Sequence, residues 1–172
     1  MMAGMSTITV NLRRAGLSDS GAIAEVHDRA WMNAYAGIVP HKALAGMVQR
    51  RGETWWANAI RRQTVILVLE MDERIVGYAT IGRNRVQTLP FSGEIYEVYL
   101  LPEYQGVGLG TRLFLAARSE LQRRSLKGTV VWVLAENEPA MRFYRNAGGR
   151  RIAEGCENFN GRNMRKVAFA WD

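Results

Sequence analysis

A glycine-rich turn at residues 105–110 constrains this chain more than any other stretch. The run before it, GEIYEVYLLP, is apolar and alternating, and residues 108–124 after it repeat apolar side chains at helical spacing. The first backbone N–H groups of a helix have no intrahelical partner and carry partial positive charge, and glycines allow a close approach. This stretch therefore predicts a strand, an anion-binding turn and a helix, with a phosphorylated ligand at residues 106–111.

The composition is typical of one globular domain, which we expect to comprise all 172 residues, with 48% hydrophobic and 23% charged side chains. No segment approaches the roughly 20 apolar residues that span a bilayer, and the first 16 residues lack a signal-peptide core. We therefore expect a cytoplasmic protein with no membrane partner. The single cysteine, Cys156, excludes an internal disulfide and is expected to be buried or half-buried.

The net charge of +7 raises the question of nucleic-acid binding, because clustered Lys and Arg side chains neutralise backbone phosphates. The basic residues here are mainly arginine pairs scattered along the chain, such as Arg13-Arg14 and Arg150-Arg151, and they form no basic run. We therefore predict no nucleic-acid partner. The charge is attributed to solvated surfaces and to attraction for a polyanionic small ligand.

Hydrophobic periodicity predicts an α/β chain with a mainly helical N-terminal third. Helices are expected at about 20–34, 41–49, 53–62, 108–124 and 138–147, and strands at 8–12, 65–69, 75–83, 94–101 and 129–134. A closing hairpin, 151–157 with 165–171, is predicted around Asn160-Gly161. The order strand, helix, strand implies a right-handed crossover, so the strands at 94–101 and 129–134 should be adjacent and parallel.

The spacing of the glycines excludes two common phosphate-binding motifs. A dinucleotide fingerprint needs G-x-G-x-x-G, and after Gly106 and Gly108 the third required position is Thr111. A Walker A loop ends in Gly-Lys-Ser or Gly-Lys-Thr, and Gly110-Thr111-Arg112 lacks the lysine.

Two motifs instead resemble the GNAT superfamily of acetyl-CoA-dependent N-acetyltransferases. Residues 105–110 are similar to its pyrophosphate loop, which reads Gln or Arg, two residues, Gly, any residue, Gly or Ala. Residues 137–144, NEPAMRFY, are similar to its signature of Asn, two residues, Ala, two residues, Phe-Tyr, and Gly149 stands where a Phe usually ends that helix. The resemblance implies a central mixed, mostly antiparallel sheet flanked by helices, with a splayed groove for CoA.

The same resemblance implies the cofactor contacts. Backbone N–H groups of the glycine turn would bind the CoA pyrophosphate, and the strand before it would lie beside the pantetheine arm and direct an N–H at the thioester carbonyl. Asn137 would contact CoA, cap the following helix, or do both. The expected cofactor-binding residues are Val98, Tyr99, Leu100, Gln105, Gly106, Val107, Gly108, Leu109, Gly110, Thr111, Asn137 and Tyr144. No metal is expected, because His27 and His41 have no metal-ligand spacing.

The catalytic residues implied by the resemblance are Tyr144 and Glu94. Tyr144 resembles the tyrosine thought to protonate the departing CoA thiolate; the alternative is a packing residue, although Phe143 is the better core candidate. Glu94 and Glu97 are candidate bases for the substrate ammonium, and either could instead be an ion-paired carboxylate. Strand alternation is expected to place them on opposite faces, so that at most one reaches the acetyl group, and Glu94 is the predicted base.

The implied activity is transfer of acetyl from acetyl-CoA to a primary amine by direct attack in a ternary complex. The alternative is a non-catalytic GNAT-like module that holds CoA as a sensor. The acceptor could be a small-molecule or a protein amine, and its site is expected to be shaped by Trp31, Tyr35 and the loops at 37–40 and 84–92. Dimers are common in the family, so a homodimer stays an open alternative.

Overall fold

The structure, a computed structural model, describes residues 7–172, within which seven strands and five α-helices form. The strands are β1 (Val10–Arg14), β2 (Val65–Met71), β3 (Arg74–Arg83), β4 (Gly93–Leu100), β5 (Thr129–Leu134), β6 (Arg150–Phe159) and β7 (Arg162–Trp171). The helices are α1 (Ser20–Tyr35), α2 (His41–Arg50), α3 (Glu53–Arg61), α4 (Leu109–Arg123) and α5 (Glu138–Asn146). The predicted order of elements is confirmed. The predicted lack of a signal-peptide core falls in part on residues 1–6, which lie outside the described residues.

All seven strands belong to one sheet in the order β1-β2-β3-β4-β5-β7-β6. Every neighbouring pair is antiparallel except β4 and β5, which are parallel. The β4–β5 ladder comprises only two pairs, Gly93 with Thr129 and Glu94 with Val130. Because both strands continue beyond these pairs, they separate toward their carboxyl ends. The mixed, mostly antiparallel sheet predicted above is therefore confirmed, and its centre is splayed.

Helices cover both faces of the sheet. Leu121 of α4 packs on the face of β4 at Gly93, where an added Cβ would lie 3.1 Å from a Leu121 methyl carbon. Trp56 of α3 packs edge to face against the ring of Tyr78, which projects from the opposite face of β3, with centroids 4.9 Å apart. The apolar positions of α4 predicted to face the core are all buried: Leu109, Leu113, Phe114, Ala117 and Leu121. None of the helices within residues 7–172 is long and apolar enough to cross a membrane.

The closing hairpin is longer than predicted, because its turn takes only two residues. Asn160 and Gly161 have φ angles of 50° and 87°, the left-handed pair that an Asn-Gly hairpin turn requires. The strands consequently reach Phe159 on one side and start at Arg162 on the other. The expectation that Cys156 is buried or half-buried is wrong: the thiol is exposed, because β6 is an edge strand of the sheet.

Candidate functional site

The splay between β4 and β5 exposes one edge of β4. Strand β4 stays paired with β3 as far as Leu100, but no residue of β5 within the described chain pairs with it beyond Glu94. Backbone N–H and C=O groups on that side have therefore lost their ladder partners, and such groups require partners when they are enclosed. The edge is suited to a ligand that hydrogen-bonds along a strand. Val98, Tyr99 and Leu100, which the family resemblance implies as pantetheine contacts, are residues of this part of β4.

The glycine turn leads directly from this edge into α4. Gly106 and Gly108 have φ angles of 80° and 85°, and a Cβ added at either position would meet no atom of residues 7–172 within 4 Å. Gly108 is the N-cap of α4, and no side chain caps the helix. The first-turn N–H groups of α4 are therefore left for an anion, and the lack of side-chain bulk at the glycines leaves space for it.

The structure brings the two sequence motifs together. Gln105 donates from Nε2 to the carbonyl oxygen of Leu100, 3.4 Å away, which braces the turn against the end of β4. Across the turn, a Cβ added at Gly110 would lie 3.4 Å from the ring of Phe143, so α5 packs beside the start of α4. The glycine turn and the 137–144 signature therefore lie side by side next to the free edge of β4, and we call the gap between β4 and β5 at this point the groove.

Tyr144 is buried in an aromatic cluster of the core, next to the two motifs. Its ring lies 5.1 Å from Phe143, 5.8 Å from Phe114 and 6.0 Å from Trp171, measured between centroids. The expectation that Phe143 is the core residue is wrong: Tyr144 is only 6% exposed and Phe143 is half-buried, because α5 turns Tyr144 toward β7. Burial raises the pKa of the Tyr144 phenol, so the phenol is protonated at neutral pH and is a weaker acid than a solvated tyrosine.

Asn137 and two tyrosines border the open end of the splay. The side-chain oxygen Oδ1 of Asn137 accepts from the backbone N–H of Ala140 at 3.4 Å, so this side chain caps α5. The hydroxyl of Tyr35 is hydrogen-bonded to that of Tyr99. Burial raises the pKa of both phenols. Tyr99 thus presents its backbone to the groove and its side chain to α1.

The expectation that Glu94 and Glu97 lie on opposite faces is wrong. The pairing register shifts within β4, where Glu94 is opposite Gly82 and Glu97 is opposite Thr80, which makes Tyr96 an extra residue. Such a bulge reverses the alternation beyond it. Gly82 and Thr80 are two residues apart on β3, so their partners project from the same face of the sheet.

Both carboxylates are held by cations and other donors. Glu94 is 1% exposed and accepts from the backbone N–H of Arg85 at 3.0 Å and from its Nη2 at 2.7 Å. Glu97 accepts from Arg51 at 2.7 Å, from the Tyr78 hydroxyl at 2.9 Å and from the Thr80 hydroxyl at 3.3 Å. Glu94 and Glu97 are therefore both ion-paired carboxylates, which is the alternative that the sequence left open.

A pocket of about 190 Å³ opens beside the splay, and β4, β5, α1 and the β6–β7 hairpin line it. Its walls are largely aromatic: Trp31, Tyr35, Tyr96, Tyr99, Trp132 and Phe159. Trp31, Tyr35 and the loop at 84–92, through Arg85, are lining elements that the sequence predicts for the acceptor site. Residues of β5, β6 and β7 are lining elements that it missed. The one available signal was Trp132, an aromatic residue in an otherwise aliphatic strand.

The potential metal ligands of residues 7–172 are dispersed. Within residues 7–172, no group of three or more His, Cys, Asp or Glu side chains is placed to hold a metal ion. His27, one of the two histidines, is fully buried against Trp31 and Trp56. It therefore contributes to the core and lines neither the groove nor the pocket.

Comparisons with known proteins agree with this geometry. A sequence model of the acetyltransferase (GNAT) family matches residues 28–148. The chain is 29% identical over 164 residues to the uncharacterised N-acetyltransferase YuaI of Bacillus subtilis strain 168, covering 94% of this chain and 92% of that protein. It is 28% identical over 151 residues to the mycothiol acetyltransferase of Paenarthrobacter aurescens strain TC1, covering 81% of this chain but 46% of that protein, so it spans about half of that relative. The crystal structure of the PaiA N-acetyltransferase from Thermoplasma acidophilum, in complex with coenzyme A, superposes with a TM-score of 0.74 at 19% identity, covering 92% of this chain and 98% of that chain.

Proposed function

Because the chain belongs to the acetyltransferase (GNAT) family and has its fold, we propose that it moves acetyl from acetyl-CoA to a primary amine within a ternary complex. Family membership makes it an acyltransferase; the acceptor and the order of events are the proposal. The observation that carries it is the splay between β4 and β5. A groove with an anion-binding turn lies beside it, and so does an aromatic pocket, so two substrates can meet at the gap.

The groove residues fit CoA in chemical character. The open space at Gly106 and Gly108, together with the uncapped first turn of α4, suits a pyrophosphate. The free edge of β4 suits the amide groups of a pantetheine arm, which Val98, Tyr99 and Leu100 would bind through their backbone. Gln105 would position the turn, and Asn137 would contact the arm near the start of α5. The coenzyme A held by the PaiA structure supports this assignment.

The proposed mechanism uses few side chains. Acetyl-CoA supplies an activated thioester when bound. A backbone N–H of β4 would stabilise negative charge on the carbonyl oxygen, and Tyr144 would give its proton to the sulfur as the C–S bond breaks. The amine must first lose a proton, and Glu94 is the base proposed from the sequence. Since Arg85 encloses Glu94, that role requires Arg85 to move aside, whereas Glu97 already lines the pocket.

Consumption of acetyl-CoA in the presence of an amine panel tests the proposal. The panel would contain amino acids, simple alkyl and aryl amines, polyamines and peptides with free N-termini. We expect thiol release above the rate of thioester hydrolysis for at least one class. Tight CoA binding with no consumption across the panel would favour the alternative, a module that senses CoA without turnover.

Replacing Tyr144 tests the acid role directly. Tyr144→Phe should lower kcat by about 100-fold or more, the usual effect of losing a general acid, and should change the Kd of CoA less than about threefold. Stopped-flow thiol release and equilibrium titration measure the two quantities. Tyr104→Phe, which removes a hydroxyl outside the aromatic cluster, is the matched control. An unchanged kcat in Tyr144→Phe would remove Tyr144 from the mechanism.

A further inference from the structure

We propose that the aromatic pocket selects an α-amino acid with an apolar or aromatic side chain as the acceptor. Lys166 would bind its carboxylate, and Glu157 would face its amino group. This inference rests on the proposed acetyl transfer and deepens it, because it names the class of amine.

The pocket has five charged lining residues, and two of them have no ion-pair partner among residues 7–172. Arg51 is paired with Glu97 at 2.7 Å, and Arg85 is paired with the buried Glu94 behind it at 2.7 Å. Lys166 and Glu157 take part in none of the ion pairs found between the described residues. The pocket therefore presents one available cation and one available anion.

The hairpin sets the distance between these two charges. Lys166 is opposite Gly155, and Glu157 is opposite Met164, so both residues project from the same face as diagonal neighbours. Diagonal neighbours lie about 7–8 Å apart between backbones, which leaves room for a small group between the two charged ends. In an α-amino acid the ammonium and carboxylate groups are attached to one carbon, so a single molecule can bridge the two side chains.

Lys166 and Glu157 lie at different ends of the pocket, and different residues surround each of them. Lys166 lies across Gly155, where an added Cβ would be 3.3 Å from its Cε, and its Nζ is 4.8 Å from the Trp132 ring centroid. Trp132 is only two residues beyond Val130, the last β5 residue paired with β4, so this is the narrow end of the splay. Glu157 is opposite Met164, two residues beyond the Lys166–Leu134 pair that ends β5, and its negative charge acts on Tyr35, whose hydroxyl bonds to Tyr99, as well as on Arg85. The amino group would therefore lie toward the proposed thioester site, and the carboxylate toward Lys166.

The remaining walls favour an apolar side chain over a second positive charge. Three aromatic faces in the pocket are already covered by the protein's own cations: Arg51 on Trp31 at 5.2 Å, Arg85 on Tyr96 at 4.6 Å and Lys166 on Trp132 at 4.8 Å. A polyamine would meet these cations instead of free rings. Val39, Met47 and Leu134 complete the wall with apolar groups, which suit a hydrocarbon or aromatic side chain.

The transfer balances for such an acceptor. The amino nitrogen forms the C–N bond to the acetyl carbon as the C–S bond breaks, and the products are the N-acetylamino acid and CoA thiol. The ammonium form of the acceptor releases one proton overall. No oxidant, reductant or metal ion is needed.

Matched pairs of acceptors that differ only in the carboxylate test the inference. L-phenylalanine against 2-phenylethylamine, and L-tryptophan against tryptamine, should show a kcat/KM preference of about tenfold or more for the amino acid. Lys166→Met keeps most of the side-chain stem and should lower kcat/KM for the amino acid by about 10- to 100-fold, the effect of losing a hydrogen bond to a charged group. It should change kcat/KM for the amine less than about threefold. Lys127→Met, which removes an exposed lysine before β5, is the control, and Lys166→Arg should retain the preference.

A binding measurement separates this inference from the proposed transfer. Isothermal titration of CoA-saturated wild type and of CoA-saturated Lys166→Met with each member of the pairs would give the Kd values. Preferential binding of the amino acid that is lost in Lys166→Met, without turnover, would support the pocket assignment and count against the transfer. Turnover of both members at equal kcat/KM, or an equal loss for both in Lys166→Met, would overturn the assignment and leave the transfer standing. Thermal melting of each variant verifies that it is folded.

Discussion

His27 illustrates how the environment of one residue sets its charge. The side chain is fully buried, with its ring 4.5 Å from Trp31 and 5.7 Å from Trp56 between centroids. Its Nε2 has no hydrogen-bond partner among residues 7–172. Burial, assisted by the positive charge of Arg51, lowers the pKa of His27 to about 3. The folded protein therefore keeps this imidazole neutral well below the pH at which a solvated histidine gains a proton.

Because the pKa of His27 is lowered in the folded protein, the free energy of unfolding should decrease as the pH falls. Below about pH 6.5 the unfolded chain binds a proton at His27 that the folded chain does not, so the free energy of unfolding falls as pH falls. The contribution is about 2 kcal/mol between pH 7 and pH 5. Urea unfolding at both pH values should show this loss in wild type, and His27→Phe should lack it. His41→Gln, which changes the exposed histidine at the start of α2, should show the same loss as wild type. If the pH dependence of the free energy of unfolding were unchanged in His27→Phe, the effect could not be assigned to His27.

A glycine forms the N-terminus of helix α4, and the N–H groups of its first turn have no side-chain cap among residues 7–172. Gly108 is its N-cap in a left-handed conformation, and no side chain satisfies the first turn. An alanine there would carry the cost of a left-handed backbone and would also add a methyl group to open space beside the turn. The cost of the left-handed backbone would lower the free energy of unfolding. The added methyl group would weaken the binding of a ligand at the helix N-terminus.

A matched pair of substitutions separates these effects. Gly108→Ala and Gly161→Ala both place a Cβ at a position with φ above 80° and with no atom within 4 Å. Each should reduce the free energy of unfolding by about 1 kcal/mol. Only Gly108→Ala should also raise the Kd of CoA, by about tenfold or more, as isothermal titration would measure. Equal CoA affinity in the two variants would show that the turn does not bind the cofactor.

At the scale of the whole molecule, the C-terminal strand ties the two motif helices together. Trp171 of β7 packs 4.9 Å from Phe114 of α4 between ring centroids, and its Nε1 donates to the carbonyl oxygen of Ala147 at 3.0 Å. A Cβ added at Gly149 would lie 2.7 Å from the Trp171 ring. Trp171 therefore fills the space beside Gly149, the position where the family pattern has a Phe.

The competition for this space predicts a non-additive pair of substitutions. Trp171→Ala should cost about 3–5 kcal/mol by leaving a cavity, and Gly149→Phe should destabilise the protein because its Cβ would lie 2.7 Å from the Trp171 ring and 2.9 Å from the backbone carbonyl oxygen of Tyr144. The double variant should be more stable than the sum of the two costs allows, by about 1 kcal/mol or more. Chemical denaturation of the four proteins provides the cycle. Additive costs would show that the two side chains do not share one volume.

Features that depend on neighbours along the chain could be predicted from the sequence. The glycine turn, the apolar face of α4 and the Asn160-Gly161 turn all follow from backbone preferences and helical spacing over a few residues. The two motifs, read together, also indicated the family and the splayed sheet. Each of these signals depends only on residues that are close together in the sequence.

The tertiary structure decided which distant residues meet. The bulge at Tyr96 turned Glu94 and Glu97 to the same face, and Glu97 found its partner Arg51 46 residues away. Burial gave His27 its lowered pKa, and the β6–β7 hairpin brought Lys166 and Glu157 to the pocket. Strand register, burial and ion pairing arise from contacts between segments far apart in the chain, and the order of residues along the chain does not specify those contacts one by one.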